Sequence, residues 1–141
     1  MKIKVGDKLT SSELFYLDQN NEVKKINILD LCKNKTIILG MPGAFTKTCS
    51  AKHLPGYIKN YEEALKKGIS KIICIAVNDP NVMKAWGENQ NVSGKIFMAG
   101  DPFLEFTKSI GAEVDKSKKG LGIRSNRYTM FVENCEVKKL E

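Results

Sequence analysis

The residue best placed to do chemistry in this sequence is Cys49, one of four cysteines. A short apolar run ends at Pro42-Gly43, and the following segment is predicted to open a helix with Cys49 in its first turn. At such a turn, free backbone N–H groups and the positive end of the helix dipole stabilise a thiolate. Lys47 and Lys52 add positive charge nearby. Because an environment of this kind makes a thiol nucleophilic, the sequence predicts that Cys49 is reactive.

The other cysteines offer no redox pair or metal site through their spacing. No two of the four form C-x-x-C, and the single histidine, His53, would have to join scattered residues, so we expect no metal and no cofactor. Cys74 lies in an apolar run and is predicted to be buried. Cys32 has no readable chemical context, and acidic neighbours would make Cys135 a poor nucleophile. His53 follows Cys49 by one helical turn, which leaves a protease-like Cys–His dyad as an alternative.

Strands that alternate with helices must position this thiol. The pattern predicts α/β layers around a central sheet, with one sheet face lacking a covering helix because the order ends on a strand. Phe103, Phe106 and Ile110 are expected to line the inner face of the last helix. The predicted elements are, in order, a hairpin (Glu13–Leu17 with Val23–Ile28), a strand (Thr36–Met41), a helix from Thr48 to Lys67 broken near Pro55, a strand (Lys71–Val77), a helix from Asp79-Pro80 to Gln90, a strand (Lys95–Met98), a helix from Asp101-Pro102 to Gly111, a loop (Gly120–Asn126) and a closing hairpin (Tyr128–Glu133 with Glu136–Leu140).

Length and charge narrow the class of protein. The 141 residues, 42% of them hydrophobic, predict one ordered domain spanning 1–141. The net charge of +7 comes from 21 scattered lysines and only two arginines, Arg124 and Arg127. Scattered lysines favour a solvated surface over a nucleic-acid partner. Arginine is needed only where a planar fork of donors matters, so its rarity draws attention to these two positions. Arg124 is interpreted as a surface residue.

No apolar run is long enough for a transmembrane helix, and the N-terminus lacks the apolar stretch of a secretory signal. We therefore expect no membrane partner and a cytoplasmic protein, or an organellar one if a targeting segment was removed upstream. Four cysteines without a disulfide framework fit a reducing compartment.

The spacing Pro42-x-x-x-Thr46-x-x-Cys49 resembles the P-x-x-x-T/S-x-x-C active-site signature of the peroxiredoxins. One departure is Lys47, which stands where the family often has proline. Further matches resemble the type-5, plant type-II-like subfamily and run in order along nearly the whole chain. They are Ile3-Lys4-Val5-Gly6-Asp7, Pro42-Gly43-Ala44-Phe45-Thr46, Cys49-Ser50, His53-Leu54-Pro55-Gly56, Val77-Asn78-Asp79, Ala85-Trp86-Gly87, Asp101-Pro102 and Arg127-Tyr128-Thr129-Met130.

The resemblance implies a thiol-dependent peroxidase acting on hydrogen peroxide and alkyl hydroperoxides. Cys49 would be the peroxidatic cysteine and would become a sulfenic acid. Arg127, the Thr46 hydroxyl and nearby backbone N–H groups, including those of Ala44 or Phe45, would stabilise the developing negative charge. Pro42 would shield the sulfenic acid from solvent and from further oxidation.

The resemblance also implies a thioredoxin-like fold with an N-terminal β-hairpin extension. That fold places a last helix, and some relatives a resolving cysteine, beyond the position of Glu141, so the helix is expected to be missing from this chain. None of the other three cysteines matches a resolving position of the family. We therefore expect recycling by an external thiol, either glutathione with glutaredoxin or thioredoxin, and a homodimer.

Three other functions stay open. A thiol–disulfide oxidoreductase on the same fold would need a second cysteine near Cys49. A non-enzymatic basic module would show salt-dependent nucleic-acid binding without peroxide consumption. A redox sensor would pass the oxidation of Cys49 to a partner, which the sequence does not separate from a peroxidase.

Overall fold

Strands and helices alternate along the chain, as the hydrophobic pattern predicts. The computed structural model describes residues 1–46, 61–92 and 94–141, without the side chains of 61 and 62. The predicted helix start at Thr48, the break near Pro55, His53 and Cys49 itself lie outside the described residues. The elements are β1 (Glu13–Leu17), β2 (Val23–Asn27), α1 (Ile28–Leu31), β3 (Lys35–Met41), α2 (Tyr61–Lys66), β4 (Lys71–Ala76), α3 (Pro80–Asn89), β5 (Phe97–Gly100), α4 (Glu105–Ser109), β6 (Glu113–Asp115), a 3-10 turn (Ser117–Lys119), β7 (Ile123–Ser125), β8 (Tyr128–Glu133) and β9 (Glu136–Leu140).

Within the described residues, seven strands form one mixed sheet in the order β2-β1-β5-β4-β3-β8-β9. The central strands β3, β4 and β5 are parallel, and both β1 and β8 join them in antiparallel pairs. Because side chains alternate along each strand, the sheet has a core on both faces. One core contains Ile38, Ile73 and Tyr128 under α1 and α4, and the other contains Leu39, Cys74 and Trp86 under α3.

The parallel strands bring their carboxyl ends to one edge of the sheet, where β3 ends at Met41 and β4 at Ala76. Strand β8 runs the other way beside β3, and Gly40 is paired with Tyr128. A side chain at position 40 would have its Cβ 2.0 Å from Cε1 of Tyr128, so the ring needs a glycine there. This register places Arg127, the residue before β8, next to Met41.

Two predictions about the fifth strand and the last helix are wrong in detail. The strand covers Phe97–Gly100 instead of Lys95–Met98, and the helix begins at Glu105. Phe103 is 75% exposed instead of lining that helix. The Asp101 carboxylate still caps the helix, but it accepts hydrogen bonds from the Phe106 and Thr107 N–H groups at 3.3 and 2.7 Å. The cap therefore spans a longer turn, and Pro102 and Phe103 stay outside the helix.

The predicted loop Gly120–Asn126 is wrong over part of its length. Ile123–Ser125 forms β7, which pairs with β6 as a small separate sheet, and Val114 lies opposite Arg124. This hairpin fixes the backbone around Arg124.

An open groove lies on the face of the sheet that carries Ile37, Thr129 and Phe131. Its volume is about 680 Å³, and α2 borders it on one side. None of the described helices is both long and apolar enough to cross a membrane.

Candidate active site

The segment 42–46 leaves β3 at the carboxyl edge of the sheet and forms a tight turn. The Gly43 carbonyl accepts hydrogen bonds from the Thr46 N–H at 3.4 Å and from Thr46 Oγ1 at 2.8 Å. The Ala44 N–H donates to Oδ1 of Asn78, which follows β4, at 2.9 Å. Side chains beyond the carboxyl ends of parallel strands commonly build the site of an α/β protein, and this segment leads directly to Cys49.

Arg127, the residue before β8, reaches the end of β3 from which this turn begins. Its Nη1 donates to Sδ of Met41 at 3.6 Å, and the side chain is half-buried. A thioether is a weak acceptor, so the described residues leave most of the guanidinium's hydrogen-bonding capacity unused. The ion pairs of the described residues are all formed by lysines, so no carboxylate there neutralises Arg127.

Arg124 also contacts the turn, which the surface interpretation missed. Its Nε donates to the Leu121 carbonyl at 2.8 Å and its Nη1 to the Pro42 carbonyl at 3.5 Å. A Cβ at Gly43 would lie 2.9 Å from Nη1, so the guanidinium packs directly on the backbone of this glycine. The rarity of arginine in the sequence was the signal that could have found this contact, but the β6–β7 hairpin that supports it was not predicted.

The hydrogen bonds limit what two predicted groups can do. A carbonyl oxygen only accepts, so Thr46 must donate its hydroxyl hydrogen to Gly43, and its oxygen keeps lone pairs for another donor. The Ala44 N–H is engaged by Asn78. In this arrangement Thr46 offers an acceptor instead of a donor, and the Ala44 N–H is not directed at a substrate.

Phe45 lies at the tip of the turn with 52% of its surface exposed. Its φ of 62° is in the left-handed region, which a bulky aromatic residue rarely adopts. The turn thus holds an exposed aromatic ring in a strained conformation. Such strain is common where a backbone is held for function.

The described cysteines lie away from this turn. Cys74 is buried in β4, as predicted. Cys32 and Cys135 lie beyond the opposite end of β3, which at seven residues is about 20 Å long. Within the described residues, no group of three or more His, Cys, Asp and Glu side chains could hold a metal ion.

Comparison with known proteins gives this site a family. A profile of the Redoxin family matches residues 4–141. Peroxiredoxin-2D of Arabidopsis thaliana is 41% identical over 136 residues, which cover 96% of this chain and 84% of that protein. The crystal structure of reduced Prx3 from Vibrio vulnificus in complex with hydrogen peroxide has a TM-score of 0.93 at 39% identity and covers 99% of this chain and 87% of that chain. The 1-Cys peroxiredoxin of Plasmodium falciparum has a TM-score of 0.91 at 32% identity, with coverages of 98% and 83%.

The chain belongs to the Redoxin family and is a peroxiredoxin of the type-5, plant type-II kind. The thioredoxin-like fold expected from the resemblance is confirmed. Its activity is thiol-dependent reduction of peroxide.

Proposed function

We propose that Cys49 is the peroxidatic cysteine and that the turn 42–46 with Arg127 forms its reaction site. The Cys49 thiolate attacks one oxygen of the peroxide, and the O–O bond breaks. The other oxygen takes a proton and leaves as water or an alcohol, while Cys49 becomes a sulfenic acid. Negative charge spreads over the sulfur and both oxygens during this displacement, so fixed donors aimed at these atoms accelerate it.

The observation that carries this proposal is the contact between the Arg127 guanidinium and Met41 at the end of β3. The β3–β8 register holds the guanidinium beside Met41, one residue before the turn that leads to Cys49. Within the described residues, the guanidinium's only side-chain bond is to the weak acceptor Met41 Sδ, and no carboxylate forms an ion pair with it, so its other N–H donors are assigned to the peroxide. A lysine ammonium would supply charge but no planar pair of parallel donors.

Thr46 and Pro42 complete the site. With its hydrogen donated to Gly43, Thr46 Oγ1 accepts a hydrogen bond from the peroxide O–H or from the Cys49 thiol. Pro42 is half-buried beside Arg124 and shields the sulfenic acid from solvent. Phe45 contributes an apolar wall for alkyl hydroperoxides, and Ala44 shapes the same pocket through its backbone.

Arg124 acts as a positioning residue for this site. Among the described residues it contacts Leu121, Pro42 and Gly43, so its assigned role is to hold the backbone of the turn. The guanidinium connects the β6–β7 hairpin to the turn through its bond to the Pro42 carbonyl. Asn78, which follows β4, binds the turn through the Ala44 N–H. Two anchors on opposite sides hold the turn in the conformation that presents Thr46.

An external thiol recycles Cys49 in this proposal. Cys74 is buried in the sheet and the other two cysteines lie at the far end of β3, which favours a reductant from outside the chain. Glutathione with glutaredoxin is the first candidate and thioredoxin the second. The exposed Phe45 beside the turn favours a homodimer formed through this face. The cytoplasm or a reducing organelle would supply either thiol.

Peroxide consumption tests the proposal. Wild type, Cys49→Ser and the matched control Cys135→Ser are compared with glutathione plus glutaredoxin and, separately, with thioredoxin. We expect Cys49→Ser to lose the peroxidase activity and Cys135→Ser to keep it, with the faster reductant identified by the wild-type rates. Wild-type activity in Cys49→Ser would refute the assignment of Cys49.

A further inference from the structure

A second pair of thiols lies beyond the end of β3 that is opposite to the active-site turn. Cys32 follows α1 and is fully buried, whereas Cys135 is the second residue of the β8–β9 turn and is only half-buried. We call these residues the distal thiol pair. They are 103 positions apart in sequence and are brought together by the fold.

Backbone hydrogen bonds hold the two segments in register. The Cys135 N–H donates to the Cys32 carbonyl at 3.0 Å. Next to this bond, the Asn134 N–H donates to the Asn34 carbonyl and the Asn34 N–H donates to Oδ1 of Asn134, both at 3.0 Å. A disulfide requires Cα atoms roughly 4.4–6.8 Å apart. The direct backbone bond between Cys135 and Cys32 holds these two residues next to each other.

The Cys135 side chain also lies against the Cys32 segment. Its Sγ is 3.5 Å from the carbonyl oxygens of Leu29 and Cys32, which share its single hydrogen, and the Cys32 and Cys135 side chains interact with each other. Asn134 and Cys135 have φ values of 49° and 66°, the left-handed pair of a tight hairpin whose second position normally holds glycine. The turn thus directs the cysteine side chain onto the end of α1.

We propose that the distal thiol pair is a dithiol that peroxide converts into an intramolecular disulfide, separately from the chemistry at Cys49. The half-buried Cys135 sulfur attacks the peroxide, the O–O bond breaks, and Cys135 becomes a sulfenic acid while water or an alcohol leaves. The Cys32 sulfur then attacks that sulfur, the S–O bond breaks, and the hydroxyl leaves as water with the Cys32 proton. Two thiols are oxidised and one peroxide is reduced.

The surroundings make this reaction slow and its product durable. Burial raises the pKa of the Cys32 thiol to about 12, with Cys135 raising it further and Lys71 opposing. Burial also raises the pKa of Cys135. The charge of Asp30 raises this pKa further, and the charge of Lys33 lowers it. Few thiolates are present at neutral pH, so attack on peroxide is slow. Thiols of high pKa are also poor leaving groups, so the disulfide resists exchange with external thiols.

Slow oxidation and a durable disulfide differ from the behaviour of a catalytic cysteine, which is oxidised and reduced in every cycle. A pair that oxidises slowly and stays oxidised responds to sustained peroxide, and it links the α1–β3 connection to the β8–β9 turn. Cys135 is the sulfur that solvent reaches, and Cys32 supplies the resolving thiol from the interior.

The test uses the full chain carrying Cys49→Ser, so the result does not depend on the proposed peroxidatic residue. The protein is incubated with excess hydrogen peroxide, quenched in acid, alkylated and digested without reduction for mass spectrometry. We expect a peptide that joins Cys32 to Cys135, two hydrogens lighter than its reduced parts, in a protein that remains a single chain on a non-reducing gel. Cys74 should be recovered alkylated.

The variant Cys49→Ser/Cys135→Ser is the matched control. We expect it to yield no cross-linked peptide and an alkylated Cys32, because the solvent-facing sulfur is gone. Three results would overturn the proposal: both thiols still alkylated after prolonged exposure, Cys135 accumulating as a sulfinic acid beside a free Cys32, or disulfides that form only between chains. Circular dichroism of both variants before oxidation checks that they are folded.

Discussion

Arg124→Met tests whether the turn 42–46 must be anchored for peroxide reduction. The substitution removes the bonds from Nε to Leu121 O and from Nη1 to Pro42 O while keeping an unbranched apolar stem. A hydrogen bond from a charged donor contributes about 1.5–3 kcal/mol. The 3.5 Å bond to Pro42 is long, so we take the lower end of that range for the energy that anchors the turn.

About 1.4 kcal/mol corresponds to a factor of ten in rate. We therefore expect kcat/KM for hydrogen peroxide to fall about tenfold in Arg124→Met. Arg124→Lys should lie between the variant and wild type, because an ammonium keeps the charge but does not reach both carbonyls with fixed geometry. Since the anchor acts on attack by Cys49, only the oxidative half-reaction should slow, whereas reduction of the sulfenic acid by external thiol should keep its rate.

The assay is stopped-flow measurement of each half-reaction, with urea unfolding to show that the fold is retained. Lys118→Met is the matched control, since it removes one positive charge from an exposed side chain in the preceding 3-10 turn. It should leave both half-reactions unchanged. Gly43→Ala places a Cβ 2.9 Å from Nη1 and should displace the same guanidinium, so its effect should not add to that of Arg124→Met. A wild-type oxidation rate in Arg124→Met, or an equal loss in Lys118→Met, would refute the anchoring role.

Three further predictions concern other parts of the molecule. Arg127→Lys should keep the urea midpoint but lower kcat/KM about a hundredfold, as removal of fixed donors to an oxyanion does, and an unchanged kcat/KM would contradict the guanidinium argument. Tyr128→Phe should leave the free energy of unfolding unchanged or raise it by about 1 kcal/mol, because the buried Tyr128 hydroxyl has no hydrogen-bond partner among the described residues. A clear loss of stability in urea would show that the hydroxyl has a partner. Formation of the distal disulfide should accelerate about tenfold per pH unit from neutral to mildly alkaline pH, because both thiols have raised pKa values and only the thiolate attacks. The rate is measured by acid quenching and mass spectrometry, and a rate that does not depend on pH would exclude this mechanism.

The central strands and the start of α3 could be predicted because local signals mark them. Apolar runs define β3 and β4, and Pro42-Gly43 ends the first run where the structure ends the strand. Asp79 followed by Pro80 marks the start of α3, where the Asp79 side chain accepts from the Asn81 and Val82 N–H groups. In each case the residues that determine the element are neighbours in sequence.

The parts that were missed depend on contacts between distant residues. Arg124 looks like a surface residue until the β6–β7 pairing fixes its backbone and brings it to Pro42. The partnership of Cys32 and Cys135 requires the β8–β9 turn to dock on the end of α1. Acidic neighbours were expected to make Cys135 a poor nucleophile, but burial is the larger cause of its raised pKa, and the contributing charge is Asp30 from α1. No local pattern carries this information.

The use of arginine in this lysine-rich chain follows from the same geometry. A solvated surface needs charge without fixed direction, and lysine provides it at 21 positions. At the carboxyl edge of the sheet the requirement is different, because Arg124 bonds two carbonyls at once and Arg127 must keep free donors while one nitrogen rests on Met41. In the proposed mechanism, one arginine fixes the backbone of the turn and the other stabilises the charge that develops during attack on peroxide. The two roles can therefore be measured separately. Arg124→Met and Arg127→Lys should both slow the oxidative half-reaction, but by different factors.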